Sequence, residues 1–114
     1  DVRLAIKGAS GKDSVGVIAW MGDTAVGAGG TAVTGDVAAL FGTSVLPDYR
    51  RRGVQQALLA ARLNIAAERG AAIATIGSLP GAITERNVRR MGFQVAYVKS
   101  VLVRPGTGLA RILI

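Results

Sequence analysis

The sequence predicts an α+β fold with a mixed, mostly antiparallel central sheet and helices on its faces. Three segments rich in β-branched and small apolar residues, at positions 14–21, 24–34 and 37–46, follow one another through two Gly-Asp turns. This spacing is typical of antiparallel hairpins. A run of helix formers and then a short apolar segment, residues 71–77, come after Pro47. A strand, a helix and a strand in this order indicate a parallel crossover.

The remaining elements follow from local composition. Residues 2–6 form a predicted strand before the hairpins. Residues 53–69 are predicted as a helix because Gln, Ala, Leu, Arg and Glu dominate there. Gln55, Arg62 and Arg69 recur every seven residues, which predicts one polar stripe along this helix.

Four elements are predicted in the C-terminal third. Residues 71–77 favour a short buried strand, and residues 84–91 favour a short helix that ends at Gly92. Residues 93–103 are apolar and predict a long strand, and residues 109–114 predict a last strand that pairs back onto it.

Composition limits the chemistry. The 114 residues are expected to form one domain, residues 1–114. The chain has no cysteine and no histidine, which excludes thiol nucleophiles, disulfides and histidine acid–base catalysis, and no metal site is predicted. Lack of cysteine is typical of a reducing compartment, and no apolar run approaches the roughly 20 residues that span a bilayer. We therefore expect a cytoplasmic protein without a membrane partner.

The net charge of +7 fits several polyanionic partners. Nucleic acid, a polyanionic small ligand and a merely solvated basic surface all remain open on charge alone. Aromatic residues make up only 4% of the chain, which leaves few rings for base stacking, and no recognised nucleic-acid motif is present. These observations disfavour nucleic acid.

A basic turn joins the third predicted strand to the first predicted helix. After Pro47 the chain continues Asp-Tyr-Arg-Arg-Arg-Gly, and the helix begins near Gly53. The first N–H groups of a helix lack intrahelical partners and carry the positive end of its dipole. Three arginines at such an end oppose the dipole unless an anion binds there. The turn therefore predicts a phosphate or pyrophosphate site.

This turn resembles the acyl-CoA-binding motif of the GNAT acetyltransferase superfamily. In VLPDYRRRGVQQALL, residues 45–59, Arg50 and Gly53 match the family pattern Gln/Arg-x-x-Gly-x-Gly/Ala, and Gln55 departs from it at the last position. The segment ERNVRRMGF, residues 85–93, is similar to the family's next motif, a short helix that ends in Gly-Phe. The likeness covers about residues 14–104. It implies an acyl-CoA N-acyltransferase fold in an N-terminally shortened member or a fragment.

The resemblance also implies a cofactor, acetyl-CoA or coenzyme A, and the residues that hold it. In the family, two neighbouring parallel strands splay apart and admit the pantetheine arm. Backbone groups at the strand end would pair with the pantetheine amides like an added strand. Backbone N–H groups of the turn would hold the pyrophosphate. A residue of the second motif would contact the pantetheine or the phosphates. In this chain the implied residues are Val45, Leu46, Arg51, Arg52, Gly53, Val54, Gln55, Gln56 and Asn87.

Catalytic residues are not identified. Many family members place a tyrosine four residues before the Gly of Gly-Phe, and Val88 stands there. Tyr97 could supply the proton instead, and Glu85 could act as a base or simply stabilise the first turn of its helix. Direct transfer with solvent as the proton carrier is a further alternative.

The implied reaction is acetyl transfer to the amine of a small molecule or a peptide. In the family, elements before the hairpins form much of the acceptor wall, and only about 13 residues precede Ser14. We expect these elements to be absent, or supplied by another domain or by the second chain of a homodimer. A non-catalytic acyl-CoA-binding domain that regulates or scaffolds is the alternative function.

Overall fold

The computed structural model describes residues 2–7, 14–78 and 81–106. The chain divides into two compact units, one within residues 1–78 and the other within residues 79–114. Neither helix in the described part has the length and hydropathy that a bilayer-crossing segment requires.

The first unit is built on a sheet of five strands in sequential order. The strands are β1 (Arg3–Lys7), β2 (Ser14–Met21), β3 (Thr24–Thr34), β4 (Val37–Val45) and β5 (Ile73–Ile76). The first four strands pair antiparallel, and β5 pairs parallel to β4. The predicted hairpins, the strand before them and the parallel crossover are thereby confirmed. β5 forms an edge of the sheet with Ile73 58% exposed, so the predicted burial of this strand is wrong.

Helix α1 (Val54–Glu68) provides the crossover and packs on one face of the sheet. Glycines of β3 allow this close approach: a Cβ built on Gly27 would lie 3.0 Å from Cγ1 of Val54 and 3.2 Å from Cδ1 of Leu58. The main core cluster lies where helix and sheet meet. Its buried residues are Val15, Val17, Ala19, Val26, Val54, Leu58 and Ile65.

We expect Gly27→Ala to lower the free energy of unfolding by about 1–3 kcal/mol, the usual effect of overpacking a core. The added methyl group would also meet the backbone carbonyl oxygen of Ser44 at 3.0 Å, and a strand backbone cannot move aside as a flexible side chain can. Gly77→Ala is the matched control, because nothing lies within 4 Å of its Cβ position. Urea unfolding of both variants tests this. Equal stabilities of the two variants would contradict the close helix–sheet approach.

The predicted polar stripe on α1 is wrong at its central position. Arg62 is only 1% exposed and faces the sheet, whereas Gln55 is half-buried and Arg69 is exposed. Seven-residue spacing places these side chains on one side of the helix, but it does not reveal whether the opposing surface can accept a guanidinium. Gly29 on β3 leaves the required space, since a Cβ there would lie 2.9 Å from Cζ of Arg62.

The second unit contains helix α2 (Ile83–Arg90), which confirms the short helix predicted before Gly92. Gly92 has φ of 95°, a conformation that glycine adopts readily. A carboxylate oxygen of Glu85 accepts a hydrogen bond from the N–H of Gly81 at 2.5 Å, and its other oxygen lies 4.0 Å from Nη1 of Arg89. Glu85 thus ties the first turn of α2 to the residue before its N-cap, Ala82.

The predicted strand over residues 93–103 is wrong. Residues 93–106 have no regular secondary structure, and apolar side chains such as Val101 (75% exposed) and Leu102 (92%) face solvent. Apolar composition favours a strand only where another backbone accepts its hydrogen bonds. No such ladder forms between this segment and the described residues. The strand predicted over residues 109–114 lies outside the described residues.

Candidate functional site

Strand β4 extends beyond the end of its pairing with β5. Their parallel pairing runs from Val37 opposite Ile73 to Leu40 opposite Ile76 and stops there. β4 continues to Val45. On the β5 side, residues 41–45 are paired with no strand in the described part of the chain. This edge exposes backbone donors and acceptors to which an extended molecule could add.

A β-bulge lies in β4 just past the end of its pairing with β5. Gly30 of β3 pairs with Phe41, but Ala28 pairs with Ser44, so β4 carries one extra residue between these pairs. Gly42, inside the bulge, has φ of 64°, which is the left-handed region that glycine tolerates. A bulge bends its strand and increases the local twist. The bulge lies just past Leu40, the last residue of β4 that pairs with β5.

At the end of β4, the backbone of Val45 lies on the unpaired edge of the strand. The N–H of Leu46 donates to the carbonyl of Val26 on β3 at 2.8 Å. Because neighbouring residues of a strand in an antiparallel ladder point to opposite sides, the backbone groups of Val45 point away from β3. Nε of Arg50 donates to the carbonyl of Val45 at 3.3 Å. The N–H of Val45 therefore points to the free edge of β4. The N–H of Leu46 is already hydrogen-bonded to β3.

The turn between β4 and α1 contains two left-handed residues. A 3-10 helix (Pro47–Tyr49) follows β4, and then Arg51 has φ of 62° and Gly53 has φ of 81°. A left-handed conformation costs a non-glycine residue about 1–2 kcal/mol. Backbone strain of this kind is enriched at active sites and ligand-binding sites.

The beginning of α1 offers unpaired donors. The first helical hydrogen bond runs from the N–H of Ala57 to the carbonyl of Gly53 at 3.0 Å, so the N–H groups of Val54 and Gln56 precede it without an intrahelical acceptor. No side chain caps this end. Nothing lies within 4 Å of the Cβ position of Gly53. Val54 is only 1% exposed, whereas Gln56 and Gly53 are exposed. An anion could therefore approach this end of the helix at Gly53 and Gln56.

The three arginines of the turn differ in orientation. Arg50 is tied to Val45, as described above, and the guanidinium of Arg52 lies 5.4 Å from the ring centre of Tyr49, within cation–π range. All three are exposed. None forms an ion pair with a carboxylate of the described residues. Their charges add to the positive end of the helix dipole, so the turn is suited to a ligand with several negative charges.

The structure brings together eight of the nine residues predicted to hold a cofactor. Val45 and Leu46 end β4, Arg51 and Arg52 form the turn, and Gly53, Val54, Gln55 and Gln56 begin α1. The departure from the family pattern at Gln55 leaves the helix regular, since it is the second residue of α1. Asn87 lies on α2, in the second unit. The binding role of these residues stays a prediction.

The sequence analysis placed Arg62 in a polar stripe and missed its burial against the sheet. Arg62 bonds to backbone carbonyls of β3 and β4 at the bulge. Burial lowers the pKa of its guanidinium from the ordinary value, although an arginine remains charged at neutral pH. The Gly-Ala-Gly-Gly stretch of β3, residues 27–30, could have signalled it, because successive glycines indicate close approach of another group.

The candidate proton donors and bases have no reactive arrangement. The carboxylate of Glu85 is held by Gly81 and Arg89. Tyr97 is 79% exposed in a segment without regular structure, and Val88 is buried. The described residues contain no cluster of three or more potential metal ligands.

Comparison with known proteins identifies a family. The model of the acetyltransferase (GNAT) family matches residues 3–93. The search of curated proteins gave no match.

Many solved structures share the fold. A Trypanosoma brucei acetyltransferase has a TM-score of 0.77 at 13% identity, over 91% of this chain and 100% of that chain. Aminoglycoside N-acetyltransferase AAC(6')-Iy in complex with CoA has a TM-score of 0.70 at 22% identity, over 85% of this chain and 79% of that chain. Glucosamine-6-phosphate N-acetyltransferase from Arabidopsis thaliana has a TM-score of 0.72 at 8% identity, over 80% of this chain and 67% of that chain.

Proposed function

The chain belongs to the GNAT acetyltransferase family, and from this premise we propose that it binds acetyl-CoA at the β4–α1 turn and transfers the acetyl group to an amine. The free edge of β4 that leads into the turn carries this proposal. The pantetheine arm adds to the edge at Val45, and the pyrophosphate binds at Arg51–Gln56. Asn87 would make a further cofactor contact.

Charge and geometry support a CoA ligand over a smaller phosphate. CoA carries a pyrophosphate and a separate 3′-phosphate, which match a turn with three arginines that lack carboxylate partners among the described residues. It also carries two amides on an extended arm, which match an unpaired strand edge. A simple phosphate would use only the turn.

The acceptor is proposed to be a small-molecule or peptide amine. A solved structure of similar fold is named as an aminoglycoside acetyltransferase and another as a glucosamine-6-phosphate acetyltransferase, so these two amines are the first to test. We propose that residues 1–114 act as one acyl-CoA-binding domain. Another domain or a second copy of the chain would complete the acceptor wall.

A non-catalytic acyl-CoA-binding domain is the second candidate function. It is favoured by Val88, which stands where many family members have a tyrosine and is only 6% exposed. This side chain can neither donate nor accept a proton. Both candidate functions require acetyl-CoA binding, but only the first includes transfer of the acetyl group to an amine.

Calorimetric titration with CoA and acetyl-CoA tests the shared part of both candidates. We expect saturable binding of both ligands at micromolar to low millimolar concentration. Absence of binding at millimolar ligand would exclude both, and retention on DNA with a steep salt dependence would instead favour nucleic acid. Thiol release from acetyl-CoA with a panel of amines then separates enzyme from binder. The reaction is expected to be faster at high pH, because the attacking amine must be neutral.

A further inference from the structure

Arg62 is a buried cation without a carboxylate partner in the described part of the chain. Nε donates to the carbonyl of Leu58 one turn earlier in α1 at 3.1 Å. Nη1 donates to the carbonyl of Gly30 at 3.2 Å and to that of Phe41 at 3.5 Å. The residue is 1% exposed, and none of the described carboxylates forms an ion pair with it. One side chain thus connects the helix to two neighbouring strands.

Burial of this charge does not favour the fold by itself. Removing an ion from water costs several kcal/mol, and apolar residues of similar volume often replace buried ions without loss of stability. Hydrogen bonds to three carbonyls recover part of that cost. The arginine therefore calls for a role other than stability, and its bonding partners indicate which one.

The partners of Arg62 are the carbonyls beside the β4 bulge. Gly30 and Phe41 form the last regular pair before the register shifts, and the guanidinium lies against Gly29, the residue of β3 within the bulge. The pairing of β4 with β5 ends at Leu40, one residue before Phe41. Arg62 thus bonds to β4 just past the end of its pairing with β5, where the free edge of β4 begins.

We propose that Arg62 is a positioning residue for the cofactor: it holds the β4 bulge and so aligns the free edge at residues 41–45 with the pantetheine arm. This inference rests on the proposed CoA site and goes beyond it. Arg62 lies two helical turns past the beginning of α1, on the side that faces the sheet, and is not expected to touch the pyrophosphate. Its influence should therefore fall on the pantetheine end of the ligand alone.

Arg62→Met removes the guanidinium and keeps an unbranched side chain. We expect its affinity for CoA to fall about five- to tenfold, as when one hydrogen bond is misaligned. Affinity for adenosine 3′-phosphate 5′-diphosphate, which has the pyrophosphate but no pantetheine, should not change. Arg62→Lys should recover part of the loss, because an ammonium can still donate to the carbonyls. Arg69→Met is the control variant: it removes one positive charge at the C-cap of the same helix. It should bind both ligands as the parent does.

Hydrogen exchange of the free protein supplies a readout that needs no ligand. Amides of residues 41–45 should exchange faster in Arg62→Met than in the parent and in Arg69→Met. Unchanged exchange there, or equal losses of affinity for both ligands, would overturn the inference. If the parent protein binds no CoA, the proposed function fails, and the exchange comparison still decides whether Arg62 holds the bulge. Should Arg62→Met fail to fold, Arg62→Lys carries the same two comparisons with smaller expected changes.

Discussion

The double variant Arg51→Ala, Arg52→Ala is expected to bind CoA roughly 10- to 100-fold more weakly. A loss of this size corresponds to about one to two charge-assisted hydrogen bonds. Both side chains belong to the turn that leads to the uncapped end of α1 and lack a carboxylate partner within the described residues. Their guanidinium groups are therefore not engaged by a carboxylate of the described residues and are available for phosphate. Calorimetric titration measures the change, and pantetheine, which has no phosphate, is the reference ligand.

A second double variant separates local contacts from net charge. Arg3→Ala with Arg69→Ala removes the same charge from exposed positions elsewhere in the first unit. We expect it to bind CoA within about twofold of the parent at 0.15 M salt, because exposed charges more than a Debye length away are largely screened. If both double variants lose the same affinity, or if pantetheine binding falls as much as CoA binding, the turn is not the phosphate site.

Leu58→Ala is expected to lower the free energy of unfolding by about 2–5 kcal/mol, the usual range for emptying a buried leucine site. Leu58 is 0% exposed and lies in the cluster that joins α1 to the sheet. A loss of this size is a large part of the roughly 5–15 kcal/mol that stabilises a typical domain. Thermal and urea unfolding measure it.

Asn64→Ala provides the control for Leu58→Ala on the same helix. Asn64 is exposed, and alanine is the better helix former, so this change should leave stability equal or slightly higher. A small effect of Leu58→Ala, similar to that of Asn64→Ala, would show that α1 does not pack on β3 through this side chain.

The candidate site was partly predictable for a local reason. The Arg-Arg-Arg-Gly turn and the start of the helix are set by neighbouring residues, because left-handed glycine and the unpaired donors of a helix end are properties of short segments. The bulge was not predictable in this way. It depends on how β3 and β4 align over many residues, and Gly42 alone does not distinguish a bulge from a close contact.

The sequence by itself determined the order of strands and helices in the first unit, the parallel crossover and the position of the basic turn between β4 and α1. These features depend on side-chain periodicity, turn residues and helix formers that are near one another in the chain. The tertiary structure alone decided three others: the burial of Arg62, the exposure of β5, and the absence of a strand over residues 93–103. Each of them depends on what lies opposite a side chain or a backbone, and distant parts of the chain provide those neighbours.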